Sequence, residues 1–140
     1  MGQLARAKYG SRVVLIGLLT YSGSTTAASA WDEVAERKYV RPSLPGSYEY
    51  FFHQLNPGNF LIHLRNNELV QKLMPRELLE RAIGAIYLPE KERISHYFQA
   101  RLVSQYDVII YLDKTTALHP LEATAAWHQG EIFETFPSGL

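Results

Sequence analysis

Apolar residues fall along the chain in four short blocks separated by longer polar or mixed stretches. The first block, Arg12–Tyr21, is apolar at both odd and even positions from Val13 to Leu19. A run apolar on both faces suits an interior strand covered on two sides, as in parallel sheets flanked by helices. Ser22-Gly23-Ser24 then reads as a turn, and Thr25–Ala30 as a short extended arm. Phe60–Leu64 forms a second short strand pattern and Arg81–Tyr87 a third, the latter followed by Pro89 and a charged turn. Asp107–Asp113 is the fourth and clearest, β-branched and bounded by acidic residues.

Helical patterns are fewer. Gly2–Tyr9 can place Leu4, Ala5 and Tyr9 on one face, with Gly10 where a glycine ends a helix. Tyr48–Leu55 follows Ser47, which suits an N-cap with Tyr50 three residues on, although the capping-box Glu is missing. Asn67–Leu73 is a short helix stopped by Pro75. Between Asp32 and Pro45 the pattern weakens, and Pro42 and Pro45 argue against a regular element there. Ser95–Gln105 reads as helical or irregular.

Strands joined by connections of a dozen or more residues imply an α/β sheet with parallel neighbours. The expected fold class is therefore α/β: a partial layered domain with a mainly parallel sheet of about four strands and flanking helices. It occupies residues 1–125, and 126–140 is expected to be a weakly ordered tail. A doubly wound sheet needs helical cover on both faces, and amphipathic helices are scarce here.

With 140 residues the chain is one domain on the prior of roughly 150 residues per domain. Its 46% apolar and 20% charged composition is that of a globular chain. Fourteen basic residues balance fourteen acidic ones, which argues against nucleic acid or an acidic membrane as a partner found through bulk positive charge. The absence of cysteine excludes a disulfide scaffold, thiolate metal ligation and a Cys nucleophile. Val13–Leu19 is far shorter than the about 20 residues a spanning helix needs, and Arg6 spoils a myristoylation signal. The polar stretch Tyr21–Thr26 argues against a signal peptide ending at Ala27-Ala28-Ser29-Ala30, so a cytoplasmic protein is expected.

Candidate chemistry is sparse. Ser22–Thr26 lacks the Lys and the glycine spacing of a phosphate loop, which leaves a turn as the plainer reading. None of the five histidines, His53, His63, His96, His119 and His128, has metal-ligand spacing to another, and neither a metal nor a cofactor is implied. No Gly-x-Ser-x-Gly elbow is present. Glu90, Glu92 and Asp113 are available acids or bases without an evident partner. His96 is the best candidate, because Glu92-Arg93-Ile94-Ser95-His96-Tyr97-Phe98 gathers a carboxylate, a guanidinium, a hydroxyl and an imidazole. Against it stands a helix start capped by Ser95, with Tyr97 and Phe98 packed inward. Trp31, Tyr39, Tyr48, Tyr50, Phe51 and Phe52 make an aromatic middle that suits a core or an apolar pocket.

The order of segments resembles the erythromycin esterase family. The likeness runs from Gly2-Gln3-Leu4 and Lys8-Tyr9-Gly10 through Val13–Gly17, Thr20–Ala28, Trp31-Asp32 and Pro45-Gly46-Ser47-Tyr48-Glu49. It continues over Arg81–Tyr87 and Glu92–Phe98 to Tyr106–Asp113, covering residues 2 to about 122. The resemblance implies an α/β hydrolase, distinct from the serine hydrolase fold, that opens a macrolide lactone with water activated by a histidine and without a metal. It also implies that the family's catalytic Glu and His, and a further pair of histidines, lie ahead of Gly2-Gln3-Leu4. No catalytic residue is therefore carried onto this sequence. The expectation is a truncated esterase-like hydrolase linked to macrolide resistance, inactive alone, with a missing N-terminal segment as its partner. A small-molecule ester or macrolide is the expected ligand, contacted by Arg93, His96 and Tyr97. The alternative is a non-catalytic ligand-binding or interaction module.

Overall fold

The computed structural model describes residues 2–74, 77–121 and 125–129. Helix α1, Gly2–Tyr9, ends where Gly10 takes φ +57°, a left-handed turn that glycine adopts freely. Strand β1, Ile16–Ala27, is followed by β2, Glu36–Val40, and by helix α2, Tyr48–Gln54. Ser47 caps α2 by accepting from the Tyr50 N–H, as the sequence suggests. Next come β3, Phe60–His63, and α3, Glu68–Leu73, whose N-cap Asn67 accepts from the Val70 N–H. Short elements then alternate: β4, Leu78–Arg81; α4, Glu92–Ser95; β5, Tyr97–Ala100; and α5, Leu102–Gln105. Strand β6, Val108–Thr115, and helix α6, Ala125–Gln129, complete the described chain.

The main sheet has the order β2-β1-β6-β3. Its two central strands, β1 and β6, are parallel, in the register Leu18↔Ile110. Both outer strands run antiparallel to their neighbours, and β4 and β5 form a separate antiparallel pair. The expectation of a mainly parallel sheet is thus corrected: the architecture is mixed α/β with one parallel pair. The physical reason lies in β2, which fills the stretch whose pattern looked irregular. It pairs Val40 with Gly23 through Glu36 with Ala27, alongside the second half of β1. Pro42 falls just beyond this strand and removes no ladder donor from it.

Ser22-Gly23-Ser24 is likewise strand rather than turn. Gly23 has φ +129°, and a Cβ there would lie 2.1 Å from the Thr115 carbonyl oxygen, so only glycine lets β6 approach as β1 passes on to β2. The Arg81–Tyr87 run is not a strand either. Only Arg81 belongs to β4, and the chain then crosses to the main sheet, where Ile86 makes an isolated parallel bridge with Ala28.

The core lies on one face of the main sheet, under α2 and the β4–β5 pair. Leu19, Ile109 and Tyr111 from β1 and β6 meet Tyr48 and Phe52 from α2, with Leu64, Met74, Ala100 and Leu102 around them. Asp107 pins the starts of the central strands: it is buried and accepts from Arg6, the Leu15 N–H and Arg65. Of the expected tail, residues 126–129 belong to α6, where Trp127 is buried and donates to Thr26 Oγ1; residues 130–140 lie outside the described residues. Among the described residues, no helix is long and apolar enough to cross a membrane.

Candidate functional site

Parallel strands of α/β folds offer ligands their carboxyl ends, because the chain leaves the sheet there and opens a crevice. At that end of β1 and β6 the structure has a cleft of about 450 Å³. Leu18 and Leu112 form an apolar floor, Ile83 and Leu118 wall it, and Thr20 and Lys114 add polar groups. Ser24 also reaches it, with its hydroxyl accepting from the Ala117 N–H at 2.9 Å. Among the described residues that line this cleft there is no carboxylate and no imidazole. The arrangement can seat an apolar ligand bearing hydroxyl or carbonyl groups, and the described lining supplies no carboxylate or imidazole to accept a proton.

The wall of the cleft is set by Arg81. Its buried guanidinium donates to the carbonyl oxygens of Thr20, Tyr21 and Arg41, the last at 2.7 Å, and to Glu92 Oε1 at 2.9 Å. Glu92 also accepts from the Tyr87 hydroxyl at 2.9 Å, and burial foremost pushes that phenol far up, with the Glu92 charge adding to it. One cation thereby satisfies carbonyls where β1 passes from one partner strand to the next. Glu49 lies alongside, accepting from the Arg81 backbone N–H at 2.9 Å through Oε1, while its Oε2 has no hydrogen-bond partner. Burial pushes the Glu49 carboxyl up to about 7, against the pull of that N–H and of the Arg81 charge.

A second titratable group sits on the other side of the sheet, since side chains alternate along a strand and Tyr21 and Asp113 oppose Thr20 and Leu112. His53, in the last turn of α2, places Nδ1 2.7 Å from Asp113 Oδ1, which also accepts from the Tyr111 hydroxyl at 2.8 Å. The imidazole stacks on Tyr21 with centroids 3.6 Å apart. Slight burial works to raise the Asp113 carboxyl, but the hydrogen bonds from His53 and Tyr111 outweigh it and hold it below the ordinary range. Both residues are visible in the sequence, yet nothing local joins positions 60 apart. Nothing local joins Glu49 to Arg81 either, 32 residues apart.

The residues expected to contact substrate are placed as follows. Arg93 is exposed on α4. His96 has both ring nitrogens engaged by backbone: Nε2 accepts from the Leu88 N–H at 3.2 Å and Nδ1 faces the Ala82 carbonyl at 3.0 Å. Tyr97 accepts from the Leu44 N–H through its hydroxyl, and its ring lies 5.9 Å from the Arg81 guanidinium. Burial pushes the Tyr97 phenol up to about 12. None of the three lines the cleft. Ser95 does not cap a helix: it closes α4 and donates to the Lys91 carbonyl, while Phe98 is exposed. Among the described residues no group of three or more His, Asp or Glu is placed to hold a metal ion.

Comparison with known proteins matches residues 1–115 to the erythromycin esterase family. Two crystal structures share the fold with a TM-score of 0.65 each. One, a protein from Bacillus cereus, is 24% identical over 82% of this chain and 28% of its own. The other, described as a succinoglycan biosynthesis protein, is 22% identical over 82% of this chain and 27% of its own. The chain thus spans less than a third of either relative.

Proposed function

We propose that this chain, which belongs to the erythromycin esterase family, supplies the substrate-binding wall of a hydrolase and not its proton-handling groups. The ligand is a small-molecule ester, with a macrolide lactone as the leading case. The observation that carries this reading is the lining of the cleft, which among the described residues offers an apolar floor and hydroxyls but no carboxylate or imidazole. Ester hydrolysis by activated water needs a base within hydrogen-bond reach of that water and donors for the oxyanion. In this reading the base comes from polypeptide outside the present sequence, and the chain alone is inactive. Tyr97 lies against the Arg81 guanidinium, and His96 holds the backbone at Ala82 and Leu88 on either side of the wall residue Ile83.

The test uses the purified 140-residue chain. Calorimetric titration with erythromycin is expected to show saturable binding weakened by Leu112→Asp, while mass spectrometry shows no ring opening above buffer. A flat titration overturns the binding role. Turnover well above buffer that His96→Ala abolishes overturns the division of labour. A second reading, a ligand-binding module that never joins a catalyst, is favoured by the same lining. Binding as tight as that of complete family members would support it.

A further inference from the structure

The core uses one face of the main sheet, and the opposite face exposes apolar side chains of β1 and β3 on either side of β6, where Val108 is buried and Ile110 half-buried. Leu18 and Leu61 flank Ile110 in direct register across β1, β6 and β3, and Ile16 lies one step along β1 beside Val108. Ile16, Leu18 and Leu61 are 57%, 67% and 55% exposed. Ile16 and Leu18 pair with β6 alone, since β2 joins β1 only from Gly23 onward, and Leu61 is on the outer strand β3; the row thus spans three strands with Ile110 of β6 flanked on both sides. A sheet face that meets water ordinarily alternates in polar residues, whereas a parallel pair is apolar on both faces because both are covered. An apolar row of this kind marks a surface meant for protein.

We propose that this face docks the remainder of an erythromycin-esterase-type domain, a polypeptide that lays apolar side chains across the Leu18–Ile110–Leu61 row and so closes the cleft from above. The inference rests on the family reading and extends it to a partner surface. Its occupant follows from two observations. In the two solved relatives, the portion sharing this fold is 28% and 27% of the chain, so there the fold is embedded in a much longer polypeptide. Leu18 and Leu112 also belong to both the bare face and the floor of the cleft, so whatever covers the one forms the roof of the other. A partner docked here is therefore placed to bring a base to a ligand held between the two.

The experiment reads association with neither ligand nor turnover, so its failure is distinct from failure of the esterase reading. The intact chain is co-expressed with a polypeptide comprising the part of the Bacillus cereus relative outside the shared fold, and the product is sized by chromatography with light scattering. A 1:1 complex is expected, with at least tenfold less complex recovered for Leu18→Asp/Leu61→Asp. Hydrogen exchange on the unaltered chain is expected to show added protection at 16–18, 61 and 108–112, which keeps the test valid if the double variant misfolds. Absence of a complex, equal recovery with the variant, or protection elsewhere overturns the proposal. A homodimer abolished by the same substitutions also overturns it, because the occupant is then a second copy of this chain.

Discussion

Glu49 gives the sharpest quantitative consequence of the buried network. Its carboxyl is almost wholly buried, with one oxygen receiving the Arg81 N–H and the other unpaired. The folded state holds its proton up to about pH 7, whereas an exposed Glu releases it near 4.5. The folded form therefore binds more protons than the unfolded form between these values. Its contribution to stability is full at the acid side, falls as pH rises through that window, and stays lost above it. A gap of about 2.5 units corresponds to about 3 kcal/mol. Glu49→Gln keeps the acceptor for the Arg81 N–H and reproduces the shape of the neutral acid. The variant is expected to match the natural chain near pH 4.5 and to exceed it by about 3 kcal/mol at pH 8. For a chain of this length that is about 10 °C in Tm. Urea unfolding of both proteins at half-unit steps from pH 4.5 to 8 measures it, and the difference between them cancels every other titrating group. A difference that stays flat with pH would refute the raised carboxyl. A difference of opposite sign would mean that the Arg81 charge outweighs desolvation.

Three further outcomes follow from the same contacts. Arg81→Met leaves Glu92 buried without its counter-charge and three carbonyls without a donor, which should cost about 3–5 kcal/mol in urea unfolding; adding Glu92→Gln should recover part of that loss, and no recovery would place the cost in the carbonyls. Gly23→Ala meets both a left-handed backbone and the Thr115 carbonyl, so a loss of about 2–4 kcal/mol is expected in a thermal melt. Asp113 has a depressed carboxyl, so its contribution is present above the unfolded value near 3.9 and disappears as pH falls through the folded one. Relative to Asp113→Asn, the natural chain should lose stability as pH falls below about 4, and parallel acid titrations of the two would contradict the His53–Asp113 pairing.

Local signals were legible wherever neighbours in sequence carry the interaction. Ser47 caps its helix, Gly10 ends α1, and the β-branched block 107–113 contains the start of β6, because each depends on residues within a few positions. The run Val13–Leu19, apolar on alternate faces, also foretells a central strand, and its second apolar face is the one left bare. What sequence could not decide was who pairs with whom. The stretch from Glu36 to Val40 has little pattern of its own and becomes a strand because the far half of β1 offers an unpaired edge. His96 looked chemically poised beside Arg93 and Tyr97, yet the fold spends both of its nitrogens on backbone groups at 82 and 88. Conversely, His53 meets Asp113, and Glu49 meets Arg81, across separations of 60 and 32 residues. Capping, turns and hydrophobic period are short-range and so are written in the chain itself. Strand partners, buried charge networks and the cleft arise only when distant segments share a desolvated space, and the tertiary structure alone chooses them.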